Sequence, residues 1–83
     1  MNEVERDMIG IGQELIERTM RESIIDIQKK WNRGYYFYKE VENAVWEMLE
    51  PFETMFNDDF RSYMIELFTN NILNCKYTEW YKK

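Results

Sequence analysis

The sequence predicts an all-α domain: a compact bundle of three to four helices, which the pairing of two copies would complete. Three observations carry that expectation. Breakers are sparse, confined to Gly10, Gly12, Gly34 and Pro51, with long polar–apolar segments between them. Within each segment the apolar residues recur at helical spacing. The chain has 83 residues, enough for one domain with a thin margin of buried area, and its five Phe, six Tyr and three Trp must supply much of the core.

The first helix is expected over residues 4–31. At the helical rotation, Ile9, Ile16, Met20, Ile24, Ile27 and Trp31 fall in one stripe about 80° wide. Val4, Met8, Ile11 and Leu15 form a second stripe on nearly the opposite side. The N-terminal half is therefore apolar on two faces. Either the helix breaks near Gly10–Gly12, or its start is sandwiched between two neighbours. Two solutions offer themselves: Val4, Met8, Ile11 and Leu15 form a self-association surface, or the aromatic C-terminus folds back over one face. Acid-before-base pairs four apart, Glu14–Arg18, Glu17–Arg21 and Asp26–Lys30, support the helix on its polar side.

Asn32-Arg33-Gly34 reads as a stop. Glycine there takes the left-handed conformation that ends a helix, and Lys29, Lys30 and Arg33 suit its negative pole. The second helix is expected over 36–50, with Phe37, Val41, Ala44, Val45, Met48 and Phe52 on one face, until Pro51 ends or kinks it. Asn57 or Asp58 caps a third helix over 58–74, with Phe60, Met64, Leu67, Phe68 and Cys75 on one side, widened by Ile65 and Ile72. Asn70, Asn71 and Asn74 weaken its end. A short helix over 76–82 then gathers Leu73, Tyr77, Trp80 and Tyr81. A rival reading makes 24–41 a β-hairpin around Asn-Arg-Gly, since the isoleucines and tyrosines suit strands. Gln28, Lys29 and Lys30 spoil its alternation, and an isolated two-stranded ribbon is marginal.

The run Tyr35-Tyr36-Phe37-Tyr38 bears most directly on function. Four consecutive helical residues spread over about 300°, so one buried face cannot take them all. With Phe37 and Tyr38 turned to the core beside Val41 and Val45, Tyr36 points away. Tyr35 then projects beside Trp46 as a second aromatic strip. Covering by another helix is one account of that strip. The other is a partner-binding surface of Tyr35, Tyr36 and Trp46, rimmed by Glu42, Glu47, Glu50 and Glu53, which would steer a basic partner.

Several classes of chemistry lack their residues. There is no histidine, so Ser-His-Asp and Cys-His catalysis and most transition-metal sites have no basis. Cys75 occupies a core-like position and reads as a structural thiol. Gly10-Ile11-Gly12 lacks the rest of a phosphate loop, and Asn57-Asp58-Asp59 lacks calcium-loop spacing. Glu47, Glu50 and Glu53 recur every three residues and read as a solvated acidic face. No catalytic residue, cofactor or metal is expected, and the protein does not read as an enzyme.

The formal net charge is −5 and falls on the second half, with seven acids and no base between Glu40 and Asp59. Phosphate would be repelled there, so nucleic acid is not the expected partner. Lys29, Lys30, Arg33 and Lys39 beside the aromatic run make a small basic patch that helix-end charges largely explain. The start MNEVERD is no secretory signal, and no apolar run approaches the roughly 20 residues of a membrane span. The chain reads as complete from Met1, without membrane insertion, and the single cysteine fits a reducing cytoplasm.

The expected function is protein–protein interaction: a small acidic regulator or inhibitor that docks on a larger protein. Size, acidity and aromatic surplus give it the general look of accessory proteins encoded by bacteriophages and mobile elements, with no motif that carries a particular family. Two alternatives come from other classes. One is an acidic DNA mimic that occupies another protein's nucleic-acid groove, and the other is a structural homo-oligomer.

Overall fold

The computed structural model describes the backbone of residues 3–82 and the side chains of residues 7–82. Four α-helices succeed one another among the described residues, with no strand: α1 (Glu3–Thr19), α2 (Arg21–Asn32), α3 (Tyr38–Leu49) and α4 (Asp58–Leu73). Single 3-10 turns at Glu50–Phe52 and Thr78–Trp80 follow α3 and α4. The hairpin reading of 24–41 fails, because helix covers that stretch on both sides of Gly34.

The expected first helix is two. The break lies at Met20 (φ −108°, ψ 25°), while the chain stays helical through Gly10 and Gly12. The ladder bends there without parting: Met20 N–H donates to Ile16 C=O at 2.8 Å and Ile24 N–H to Met20 C=O at 2.9 Å. β-Branched Thr19 weakens helix propensity at this point. Gly12 serves as a contact instead of a breaker. A Cβ there would sit 2.8 Å from Cζ of Phe60 and 3.3 Å from Cε of Met64, so its missing side chain lets α1 lie against α4.

α3 packs chiefly against α4, and α2 against both. α3 and α4 run antiparallel: Trp46 meets Arg61 near the connecting turn, and Tyr38 and Glu42 lie across from Ser62–Asn70. The core takes Ile16, Ile24 and Ile27, then Val41, Val45, Met48 and Leu49, then Met64, Ile65, Phe68 and Ile72. All but Leu49 lie on the faces that the spacing predicts, while Phe37, which that spacing places on the α3 face, is exposed. Asn57 is the cap of α4, its Oδ1 accepting from Phe60 N–H at 2.8 Å.

The C-terminal segment is not a helix over 76–82; it folds back as a strap on α2. Tyr77 is fully buried, stacked on Phe68 at 6.3 Å and edge-on to Trp80 at 4.5 Å. Buried Gln28 holds it. Gln28 Nε2 donates to Ile72 C=O at 3.0 Å, and Oε1 accepts from Tyr77 N–H at 3.2 Å. Arg21 lies over the Trp80 ring at 4.5 Å and Lys29 over Tyr81 at 5.2 Å. Tyr77 O–H donates to Glu17 at 2.8 Å and accepts from Asn71 at 3.0 Å. Glu17 therefore bonds the strap and not Arg21. Of the three expected i,i+4 ion pairs only Asp26–Lys30 forms, at 2.9 Å. That pair holds the Lys30 ammonium above the usual lysine range, chiefly through its hydrogen bond to Asp26.

Both α2 and α4 end in the same reciprocal hydrogen-bonded cap. Gly34 N–H donates to Trp31 C=O and Tyr35 N–H to Lys30 C=O, with Gly34 at φ +78°. At the second end Cys75 N–H donates to Ile72 C=O and Lys76 N–H to Asn71 C=O. There the left-handed residue is Cys75, at φ +59°. Its exposed thiol corrects the core-like placement, because α4 stops before Cys75 and the chain turns it outward. Left-handed conformation costs an L-residue roughly 1–2 kcal/mol. Cys75→Gly should therefore raise unfolding free energy by about 1 kcal/mol, and Gly34→Ala should lower it by about the same. Urea denaturation of the two variants measures the pair of opposite shifts.

Candidate functional site

α3 starts at Tyr38, not Tyr36, because the chain leaves the Gly34 cap extended and Phe37 (ψ 172°) is the residue before the helix. The aromatic run therefore divides against expectation. Phe37 is 75% exposed and Tyr38 54%, while Tyr36 is the half-buried ring, packed against the core with Lys30 Nζ 5.4 Å from its centroid. Tyr35, 70% exposed, lies in the α2–α3 connection. It is not on the helix that carries Trp46, so the projected Tyr35–Trp46 strip does not form.

A different constellation does form along α3 and α4. Tyr38, Glu42 and Trp46 recur every four residues on α3; Ser62, Glu66 and Asn70 do the same on α4. This spacing keeps each set on one side of its helix. Between them lies a groove of about 280 Å³ floored by Ile65 and Thr69. Tyr38 stands at one end. Trp46, 51% exposed, lies one turn beyond Glu42 at the other, about 12 Å along the helix axis. The Arg61 guanidinium sits over the Trp46 ring at 4.8 Å and meets Glu53 at 3.6 Å. Glu42 takes Lys39 at 3.4 Å on its outer side.

Two buried polar atoms among the described residues have no hydrogen-bond partner, Nε of Arg61 and Oγ1 of Thr69. Both belong to this face, one near each end. Buried polar groups are nearly always paired, so unpaired ones mark strain or a missing partner. Chemically the groove joins two amphipathic rings, a cation already stacked on one of them, and the carboxylates Glu42 and Glu66. Rings of this kind offer apolar contact area with a polar tip, and the carboxylates offer hydrogen-bond acceptors to basic groups. Among the described residues no three His, Cys, Asp or Glu converge as a metal site.

The remaining expected residues scatter. Tyr36 and Glu47 line an open cleft of about 540 Å³ between α2 and α3. Glu50 is exposed in the 3-10 turn, which Pro51 nucleates, so Glu47, Glu50 and Glu53 share no continuous helix face. Of the self-association set, Met8 and Ile11 are exposed and Leu15 is half-buried; the side chain of Val4 lies outside the described residues. Sequence reasoning missed Tyr38, Arg61, Glu66 and Thr69. The signal that would have found them is the matched four-residue spacing in both helices, which acquires meaning only once α3 and α4 are paired.

None of the described helices is long and apolar enough to cross a membrane. Comparison with protein-family models, curated proteins and solved structures returns no match for this chain.

Proposed function

We propose that the chain is a protein–protein interaction module that docks on a larger protein through the α3–α4 face and regulates or inhibits it. The observation that carries this reading is the pair of half-exposed rings, Tyr38 and Trp46, bracketing a groove with an unpaired buried polar atom near each end. A small domain gains by burying such rings, and it leaves them in water only at a cost in solubility. Tyr, Trp and Arg are also the residues that dominate interface energetics. Glu42 and Glu66 fit basic groups on the partner.

The test is substitution. Trp46→Ala and Tyr38→Ala should keep the helical circular dichroism and a melting temperature within a few degrees of wild type. Each should weaken the native complex by at least about tenfold, or about 1.4 kcal/mol. The complex is captured from source cells with the wild-type chain and its affinity re-measured with each variant. Unchanged affinity in both variants refutes this surface. Global unfolding of either shows that the ring supports the fold and removes it from the site.

A further inference from the structure

The exposed methionines lie on a second surface, distinct from the α3–α4 face. Met8, Ile11 and Leu15 of α1 face Met55, Phe56 and Phe60 across a groove of about 320 Å³. Met8 is 57% exposed, Ile11 68% and Met55 59%. The floor is well supported. Phe56 stacks on Phe52 at 6.0 Å and meets Phe60 at 4.6 Å, and Phe52 is buried in the core. Gly12 keeps the α1 wall close to that aromatic row. The methionines at the edges can reshape to fit an incoming side chain.

We infer that this groove takes a cationic amphipathic helix of another protein, with aliphatic side chains inserted between α1 and the turn before α4. The volume is at the low end for a ligand pocket and leaves room for a pair of aliphatic side chains one turn apart. Charge selects the occupant. No Lys or Arg lines the groove. Asp7 and Glu14 flank its α1 wall, and Asp58 and Asp59 follow Asn57 on the other. All four are exposed, and none is in an ion pair with a described side chain. Asp58 and Asp59 outweigh the partial positive charge of the α4 N-terminus. Among the described residues the one exposed base on this stripe, Arg18, lies seven residues beyond Ile11 and is outnumbered by the four carboxylates, so lysines or arginines beside an apolar stripe would find partners here. For this stripe, expected as a self-association surface, the inference is a basic partner instead of a second copy.

Titration calorimetry of the full chain tests this with two synthetic amidated helical peptides of equal length. One carries leucine on one face and lysine elsewhere; the other has glutamate in place of lysine. The lysine peptide should bind, the glutamate peptide should bind at least about tenfold more weakly, and salt should weaken the lysine complex. Ile11→Gln and Met55→Gln change exposed positions and should each weaken lysine-peptide binding by at least about tenfold. Trp46→Ala should leave it unchanged, which separates this surface from the α3–α4 face. Equal binding of both peptides overturns the inference, as does binding indifferent to Ile11→Gln and Met55→Gln. A dimer in light scattering that Ile11→Gln dissociates would replace the basic partner with a second copy.

Discussion

Tyr77→Ala should cost about 3–5 kcal/mol, the usual price of deleting a fully buried aromatic ring. A domain of this length has roughly 4–12 kcal/mol in all, so the variant should be partly or wholly unfolded at 25 °C. The ring is completely enclosed, touches Phe68 and Trp80, and carries a hydroxyl that joins Glu17 of α1 to Asn71 of α4. Tyr77→Phe keeps the ring and should cost only about 1 kcal/mol. The same pair reports on pH. Burial raises the Tyr77 phenol above the usual tyrosine range, and the hydrogen bond donated to Glu17 raises it further. The unfolded phenol ionises near pH 10 while the folded one keeps its proton. Above that pH the unfolded state binds fewer protons, so stability is intact below about pH 10 and declines as pH rises beyond it. In urea denaturation at a series of alkaline pH values, wild type should lose stability faster than Tyr77→Phe. Parallel curves would show that the hydroxyl is not the group responsible.

Gln28→Ala should cost about 3–4 kcal/mol. The side chain is fully buried yet polar, and it bonds the backbone of Ile72 and Tyr77 as well as Asn32 Oδ1 at 3.0 Å. Removing it leaves the buried Tyr77 N–H without a partner, at roughly 1–3 kcal/mol, takes one of two donors from Ile72 C=O, which keeps Cys75 N–H, and leaves a cavity. Gln28→Met keeps the volume without the hydrogen bonds and should cost about 2 kcal/mol, so the difference between the variants measures packing. Thermal and urea unfolding check both. If Gln28→Met is as stable as wild type, the buried amide holds nothing and the strap is kept by its rings alone.

Periodicity located most of the core, though not Leu49. Ile16, Ile24, Val41, Val45, Met64, Phe68 and Ile72 are all buried, and each lies on the apolar face that spacing assigns. Caps were legible for the same local reason: Gly34 and Asn57 act within a few residues of themselves. The failures share a different cause. Projection around a helix needs a known starting residue, and the extended Phe37 delays α3, so rings read as core became surface. The bend at Met20 has neither proline nor glycine to announce it, and nothing local says that Cys75 adopts a positive φ. The α3–α4 groove was half legible, since Trp46 and Glu42 are there, but Arg61, Glu66 and Thr69 acquire their roles only across the helix pair. Gln28, which spoils a strand pattern and sits mid-helix, gave no sign that it would bracket the strap.

The strap also sets an order of events. Its hydrogen bonds join residues 49 and 60 positions apart, Gln28 with Tyr77 and Glu17 with Tyr77. During synthesis the four preceding helices can collapse early, yet their shared hollow stays open to water until the ring of Tyr77 emerges from the ribosome. A nascent chain stalled short of that ring would expose Phe68 and Ile72 to proteases, and digestion of such stalled chains would time the closing of the domain.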